Sequence, residues 1–266
     1  LLQNSSFENV KFNTFGDLAA NISIPEKFTF PFSYIPHPLS MLAAEMLQTH
    51  LSEQTEWKHN FGLTIDDAPV IGKMFGVLVV ADDMGDLGYL AAFSGKLAGG
   101  NHHSQFVPPV FDGLSSGGFL SNGMQQLADF SLRLATLKEN KDDASMHQIA
   151  ILKDARRKRS VELQMEIFDQ YHFLNQYGAE MSLRNIFDRA GYKNPPAGAG
   201  ECAAPKLLQY AFQNRLKPIS MAEFWWGASP KSVNWKHGEF YPCCQEKCAP
   251  ILSHMLEGIE LEKELL

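Results

Sequence analysis

Apolar positions recur at helical spacing over residues 39–58, where Leu39, Leu42, Ala43, Met46, Leu47 and His50 share one face. Pro38 suits the start of that helix, because the first turn has no use for its missing N–H. The period then changes. Residues 75–80 form a β-rich apolar run, Asp82-Asp83-Met84-Gly85-Asp86 supply turn chemistry, and residues 87–93 form a second apolar run. This predicts a β-hairpin. The acidic tip lacks the ligand spacing and closing glutamate of a calcium loop, so it reads as a plain turn. Upstream, residues 28–34 alternate like a strand, but Pro31, Pro36 and Pro38 confine them to a sheet edge or an extended arm.

Residues 98–123 are rich in Gly and Ser and read as loop. They carry His102-His103, read as an exposed pair with metal binding as the alternative. From 124 to 177 there is neither Gly nor Pro. Leu127, Phe130, Leu134 and Leu137 follow the 3-4-3 spacing of a coiled-coil-like seam. The polar stretch 138–143 reads as the tip of a helical hairpin, and periodicity resumes at Met146, Ile149, Leu163, Ile167 and Leu174. Two long antiparallel helices are expected, or one helix with a polar middle. Lys153, Arg156, Arg157, Lys158 and Arg159 lie within it. Four consecutive cations wrap most of a helical turn, so they read either as an RNA-phosphate patch or as a solvated face paired with Asp154 and Glu162.

The last third predicts a turn-rich loop at 195–200 and a helix from 201 or 202 through 212, with Pro205 in its first turn. A buried strand over 218–226, a loop over 227–242 and a final helix over 243–256 complete it. The expected fold is α/β (α+β), a mixed sheet flanked by helices. Residues 1–123 and 179–266 would build its two halves, and 124–178 would form an inserted helical hairpin.

The net charge is -7, from 23 Lys plus Arg against 30 Asp plus Glu. That excludes a uniformly basic nucleic-acid coat, though not a local patch. No apolar run reaches membrane-spanning length. The start, Leu1-Leu2-Gln3-Asn4-Ser5-Ser6, has neither a positive nor an apolar signal region. The end, 260–266, reads as helix or linker. A cytoplasmic location is expected.

All four cysteines fall in the final quarter: Cys202, Cys243, Cys244 and Cys248. Clustering of this kind favours a metal site or plain packing over a disulfide framework. Cys244 and Cys248, four apart, would share a helix face. Cys202 would open the preceding helix, and helix N-termini favour thiolates. Zinc on Cys202, Cys244 and Cys248, with His237 or Cys243 as fourth ligand, is one reading. The other is a set of small buried hydrophobes. The order of Cys202-Ala203-Ala204-Pro205 and Pro242-Cys243-Cys244-Gln245-Glu246-Lys247-Cys248 echoes zinc-dependent base deaminases, as does the succession hairpin, helix, strand, helix. The position of the catalytic glutamate holds Ala204, however, and helix geometry points Glu201 elsewhere. Trp225, Trp226, Trp235 and Tyr241 read as base-stacking rings or as core.

Four stretches carry a family resemblance: 195–212; 221–230; His237-Gly238-Glu239-Phe240-Tyr241-Pro242 with Cys244 and Cys248; and 159–171. Together they resemble the N-terminal region of a bacterial subgroup of RluA-family RNA pseudouridine synthases. The resemblance covers nearly the whole chain and is strongest after residue 150. It implies a parent isomerase that turns uridine into pseudouridine in rRNA or tRNA. That chemistry uses the aspartate of a His-Arg-Leu-Asp type motif and needs no cofactor. This chain lacks that motif, so no catalytic residue carries over. The resemblance implies a catalytic domain beyond residue 266. The chain would then be an accessory, RNA-positioning region, inactive alone, with the basic cluster holding RNA. Two readings stand beside it: a zinc-binding deaminase-like domain, active or degenerate, and a structural module that dimerises through the helical hairpin.

Overall fold

A computed structural model describes residues 12–32, 35–65, 67–114, 118–139, 142–231 and 233–262. The readings of Leu1–Ser6, Ser33-Tyr34, the hairpin tip at 140–141 and the last four residues lie outside it. The chain divides into two compact units, one of 1–110 with 173–266 and one of 111–172.

The larger unit has the expected α/β fold. Its elements are β1 (Asn13–Thr14), α1 (Pro38–Glu53), β2 (Lys73–Ala81), β3 (Leu87–Phe93), β4 (His172–Leu174), β5 (Glu180–Ser182), α4 (Leu183–Arg189), α5 (Ala203–Gln213), β6 (Lys217–Trp226), β7 (Phe240–Tyr241) and α6 (Cys248–Met255). The main sheet runs β1-β3-β2-β6-β7. Each of its ladders is antiparallel. Parallel pairing among the described residues is confined to one bridge, Phe28 with Leu261. The β2–β3 hairpin closes as its sequence predicts, with Asp82 Oδ1 accepting the N–H groups of Met84 and Asp86 at 2.9 Å each. β6 carries Pro218, which the ladder tolerates because the register shifts opposite Val79 and Val80.

Side-chain alternation gives the sheet two unlike faces. Phe75, Val77, Val79, Ala222, Phe224 and Trp226 pack with Leu39, Ala43, Ala44, Leu47 and Leu51 of α1. A buried Ser40–Ser220 hydroxyl pair, 2.7 Å apart, fixes how α1 seats. α5 covers the other face. Gly76 makes the close seating of α5 possible. It sits opposite Glu223 in the ladder. A Cβ there would stand 2.9 Å from the Ala203 Cβ and 3.2 Å from a Leu207 methyl. Gly76→Ala is therefore expected to push α5 off the sheet at a cost on the order of 1–3 kcal/mol, read as a lower denaturant midpoint.

The unit 111–172 holds α2 (Phe119–Leu137) and α3 (Asp143–Phe168). They are two helices, broken near 138–142, where Asp142 caps α3 by accepting the Ser145 N–H at 2.7 Å. Gly123 lies against Leu163, Gln126 bonds Arg159, and Ser131 bonds Arg156. The rising and falling numbers make the pair antiparallel. α2 begins earlier than the seam suggests. The helical pattern also stops sooner than 178, because 172–182 form the β4–β5 ribbon.

Candidate metal centre

α5 begins at Ala203 with Cys202 as its N-cap, and the Cys202 side chain makes no cap bond. α6 begins at Cys248, later than the sequence suggests. Pro242 has no N–H to give, and Cys243 donates its own to Pro31 O at 3.1 Å. The chain therefore stays extended there. Cys244 precedes the helix and accepts the Cys248 N–H on its carbonyl at 3.2 Å. One turn of chain thus still stacks Cys244 on Cys248, with the sulfurs 3.6 Å apart. The strand between the two helices brings both N-termini to one end of the sheet. The Sγ atoms of Cys202, Cys244 and Cys248 all lie within 4.8 Å of one another.

These three cysteines could hold a metal ion. Sulfurs bound tetrahedrally at about 2.3 Å from a common ion stand about 3.8 Å apart, close to the spacing of Cys244 and Cys248. A disulfide would need about 2 Å. The three thiols share charge unequally. Bonds from Cys202 and Cys248, then the N–H groups of Lys247 and Cys248, hold Cys244 far below the usual thiol pKa. Its proximity in turn raises Cys202. Cys202, Cys244 and burial together raise Cys248.

His237 is not brought to the cluster. Its Nδ1 accepts the Gly227 N–H at 3.0 Å, and its ring stands 4.2 Å from that of Trp226. Trp226 faces the α1 side of the sheet, and its neighbour follows it. Cys243 is buried, and its sulfur is not among the three that converge. Of the loop histidines, His103 is packed among Trp57, Phe93 and Phe106, with Nε2 bonded to Leu97 O at 2.9 Å.

Sequence reasoning missed Glu223. This carboxylate sits in the middle of β6, only 5% exposed. It accepts the backbone N–H of Ala204 at 3.1 Å, and so satisfies one of the orphan donors of the α5 N-terminus. Burial pushes its pKa up to about 7, against the opposing pull of the Ala204 N–H. Its charge is close enough to act on Cys202 and Cys248. The signal was a lone acid inside an apolar strand, which cannot be buried without partners.

Glu223 and the cysteines line a cleft of about 580 Å³ together with Lys73, Met74, Ser94, Trp225, Trp235 and Tyr241. Trp225 and Glu223 share a face of β6, two residues apart; Trp225 and Trp226 are both buried, Trp226 on the opposite, α1-side face. Lys206, on α5, is 3% exposed in its side chain. It donates to Phe93 O at 3.0 Å and Gly95 O at 3.2 Å. Burial lowers its pKa to about 8.

No family model, curated protein or solved structure matches this chain.

The basic cluster lies on α3, away from the cysteines in sequence and in the other unit. Arg159 bonds Glu166 at 2.8 Å and Gln126 at 2.7 Å. Lys158 and Arg157 pair with Asp154 at 2.9 and 3.5 Å, and Arg156 bonds Ser131 at 3.1 Å. Three of these contacts reach Asp154 or Glu166 on the same helix. Two others tie α3 to α2. No helix among the described residues is long and apolar enough to cross a membrane.

Proposed function

We propose that this chain carries a zinc-dependent hydrolytic centre of the base-deaminase type, with Cys202, Cys244 and Cys248 holding the metal and Glu223 moving protons. The observation that carries the reading is the placement of Glu223: a buried carboxylate, not a ligand, in the same cleft as three converging thiols. Zinc deaminases combine three Cys or His ligands with a non-ligand glutamate that acts as general acid and base. Here the strand supplies that glutamate in place of the helix position that holds Ala204. Three thiolates leave a fourth zinc position open, and zinc so held lowers the pKa of a bound water.

The chain's own groups then have defined tasks. Glu223 accepts a proton from the attacking water and delivers it to the amino-bearing ring. A C–O bond forms at the ring carbon, the C–N bond breaks, and ammonia leaves with the protons Glu223 has moved. The Ala204 N–H keeps the carboxylate oriented through the cycle.

A second reading follows the RluA-family resemblance: an RNA-holding region ahead of a downstream synthase domain in a cytoplasmic protein. The exposed Arg157 and Lys158 side chains on α3 support it. Their salt bridges, being exposed, are weak enough for phosphate to displace. The two readings are compatible in one protein.

One preparation tests both. Purified chain should contain one zinc and release ammonia from an amino-pyrimidine or amino-purine nucleoside, or from RNA carrying one. Zinc-free protein that releases no ammonia after zinc loading would overturn the first reading. RNA retention at low salt that disappears on replacing the exposed Arg157 and Lys158 by Ala supports the second, and no retention removes it.

A further inference from the structure

The three converging thiols meet solvent differently. Cys244 is exposed, Cys202 is partly covered and Cys248 is buried. The Cys244 and Cys248 sulfurs are 3.6 Å apart, already in van der Waals contact. The Cys248 N–H donates to the Cys244 carbonyl at 3.2 Å, so a single turn of chain holds this pair together. A disulfide bond is about 2 Å long, and the remaining gap falls to Cys244 to close. Residues 244–246 are exposed and belong to no helix or strand. Cys248, by contrast, opens α6, where Pro250, Ile251 and Leu252 are buried. Cys202 is carried by another element, α5, whose first residue Ala203 rests against Gly76 of the sheet.

An exposed thiol in contact with a buried one has the placement of an attacking and a resolving cysteine. The exposed sulfur meets an oxidant first, and the buried one is reached only through it.

We propose that Cys244 and Cys248 are a peroxide-sensitive pair, in which Cys244 is oxidised first and Cys248 closes the disulfide. The pairing stands on the geometry of the thiols, and its consequence for activity rests on the deaminase reading. The Cys244 sulfur attacks one oxygen of hydrogen peroxide. An S–O bond forms, the O–O bond breaks, and the departing hydroxide leaves as water with the Cys244 proton. The Cys248 sulfur then attacks the Cys244 sulfur. The S–S bond forms, the S–O bond breaks, and the second hydroxide leaves as water with the Cys248 proton. Two thiols give up two electrons, and one peroxide takes them. The disulfide removes two of the three metal ligands, and Cys202 alone does not make a zinc site. Oxidation thus empties the centre. A dithiol reductant reopens the bond by exchange at its exposed sulfur and restores it.

The test treats the zinc-loaded full chain with hydrogen peroxide and digests it with trypsin without reduction. Lys247 lies between the two cysteines, so the pair falls on separate peptides, 237–247 and 248–263, with Cys202 on a third, 194–206. The first two should appear linked, and fragmentation should place the bond on Cys244 rather than Cys243. Free thiols should fall from the four of the sequence to two, one zinc should be released per link, and a dithiol should reverse both. Cys248→Ser should stop at the Cys244 sulfenic acid, trapped by a cyclic 1,3-dione. No trapping there would overturn the order of attack. A link that includes 194–206, or oxidation of Cys244 beyond the sulfenic acid with no link, overturns the pair. Ammonia release is followed in the same samples. A 244–248 link in a chain that neither holds zinc nor releases ammonia overturns the deaminase reading and leaves the pair standing. Zinc-dependent ammonia release that peroxide leaves unchanged, with all four thiols still free, overturns the pair alone.

Discussion

Glu223→Gln should keep its zinc and lose turnover by about 10²–10⁴-fold, the usual contribution of a positioned general acid and base. The two side chains are nearly the same size, and the amide oxygen can still accept the Ala204 N–H that now bonds the carboxylate. The fold therefore has no reason to open. What the variant lacks is a group that can take a proton and give it back. Zinc content by mass spectrometry and ammonia release by a coupled assay read the two properties separately. A purely structural Glu223 predicts a different result. Burying a carboxylate at 5% exposure is costly, so the neutral amide would raise the melting temperature and leave ammonia release untouched. That outcome would remove Glu223 from the chemistry.

Cys244→Ser should release the metal and lower the thermal stability of the chain. Cys244 is the thiol most ready to ionise, because its two sulfur neighbours and two backbone N–H groups favour the thiolate. A serine hydroxyl does not ionise there and leaves two ligands, too few for a tetrahedral thiolate site. At free zinc one hundred times its dissociation constant, binding adds about 2.7 kcal/mol. Losing it should lower the melting temperature on the order of 5–10 °C for a chain of this size. A chelator should lower the unaltered chain by a similar amount and leave the variant where it is. A variant that still holds one zinc and shows the same chelator response would mean that the three thiols are not the ligand set.

Much of the architecture was legible because it is local. The β2–β3 hairpin followed from two apolar runs and an aspartate turn. α1, α5 and β6 followed from period and flanking proline. The polar stretch that holds Asp142 left two helices or one as alternatives, and the structure has two. Three of the four expected metal ligands, Cys202, Cys244 and Cys248, do converge. The spacing of four between the last two was the reason, although the turn that stacks them precedes α6 rather than belonging to it. The β4–β5 ribbon and the short α4 were not legible. Three-residue strands and a seven-residue helix carry too few positions for a period to show.

His237 and Glu223 mark the boundary. His237 sits close to the cysteines along the chain, yet Trp226 and the Gly227 N–H hold it at the other face of β6. Glu223 stands 19 positions from Ala204 and 20 or more from Cys244. It is joined to both because α5 rests against the sheet where Gly76 leaves room. Residue types and their local periods determined which elements form and that thiols open both helices. Which side chains meet was decided only by how those elements stack, because alternation on a strand turns neighbouring residues to opposite faces. A one-residue difference in register separates the cleft from the core.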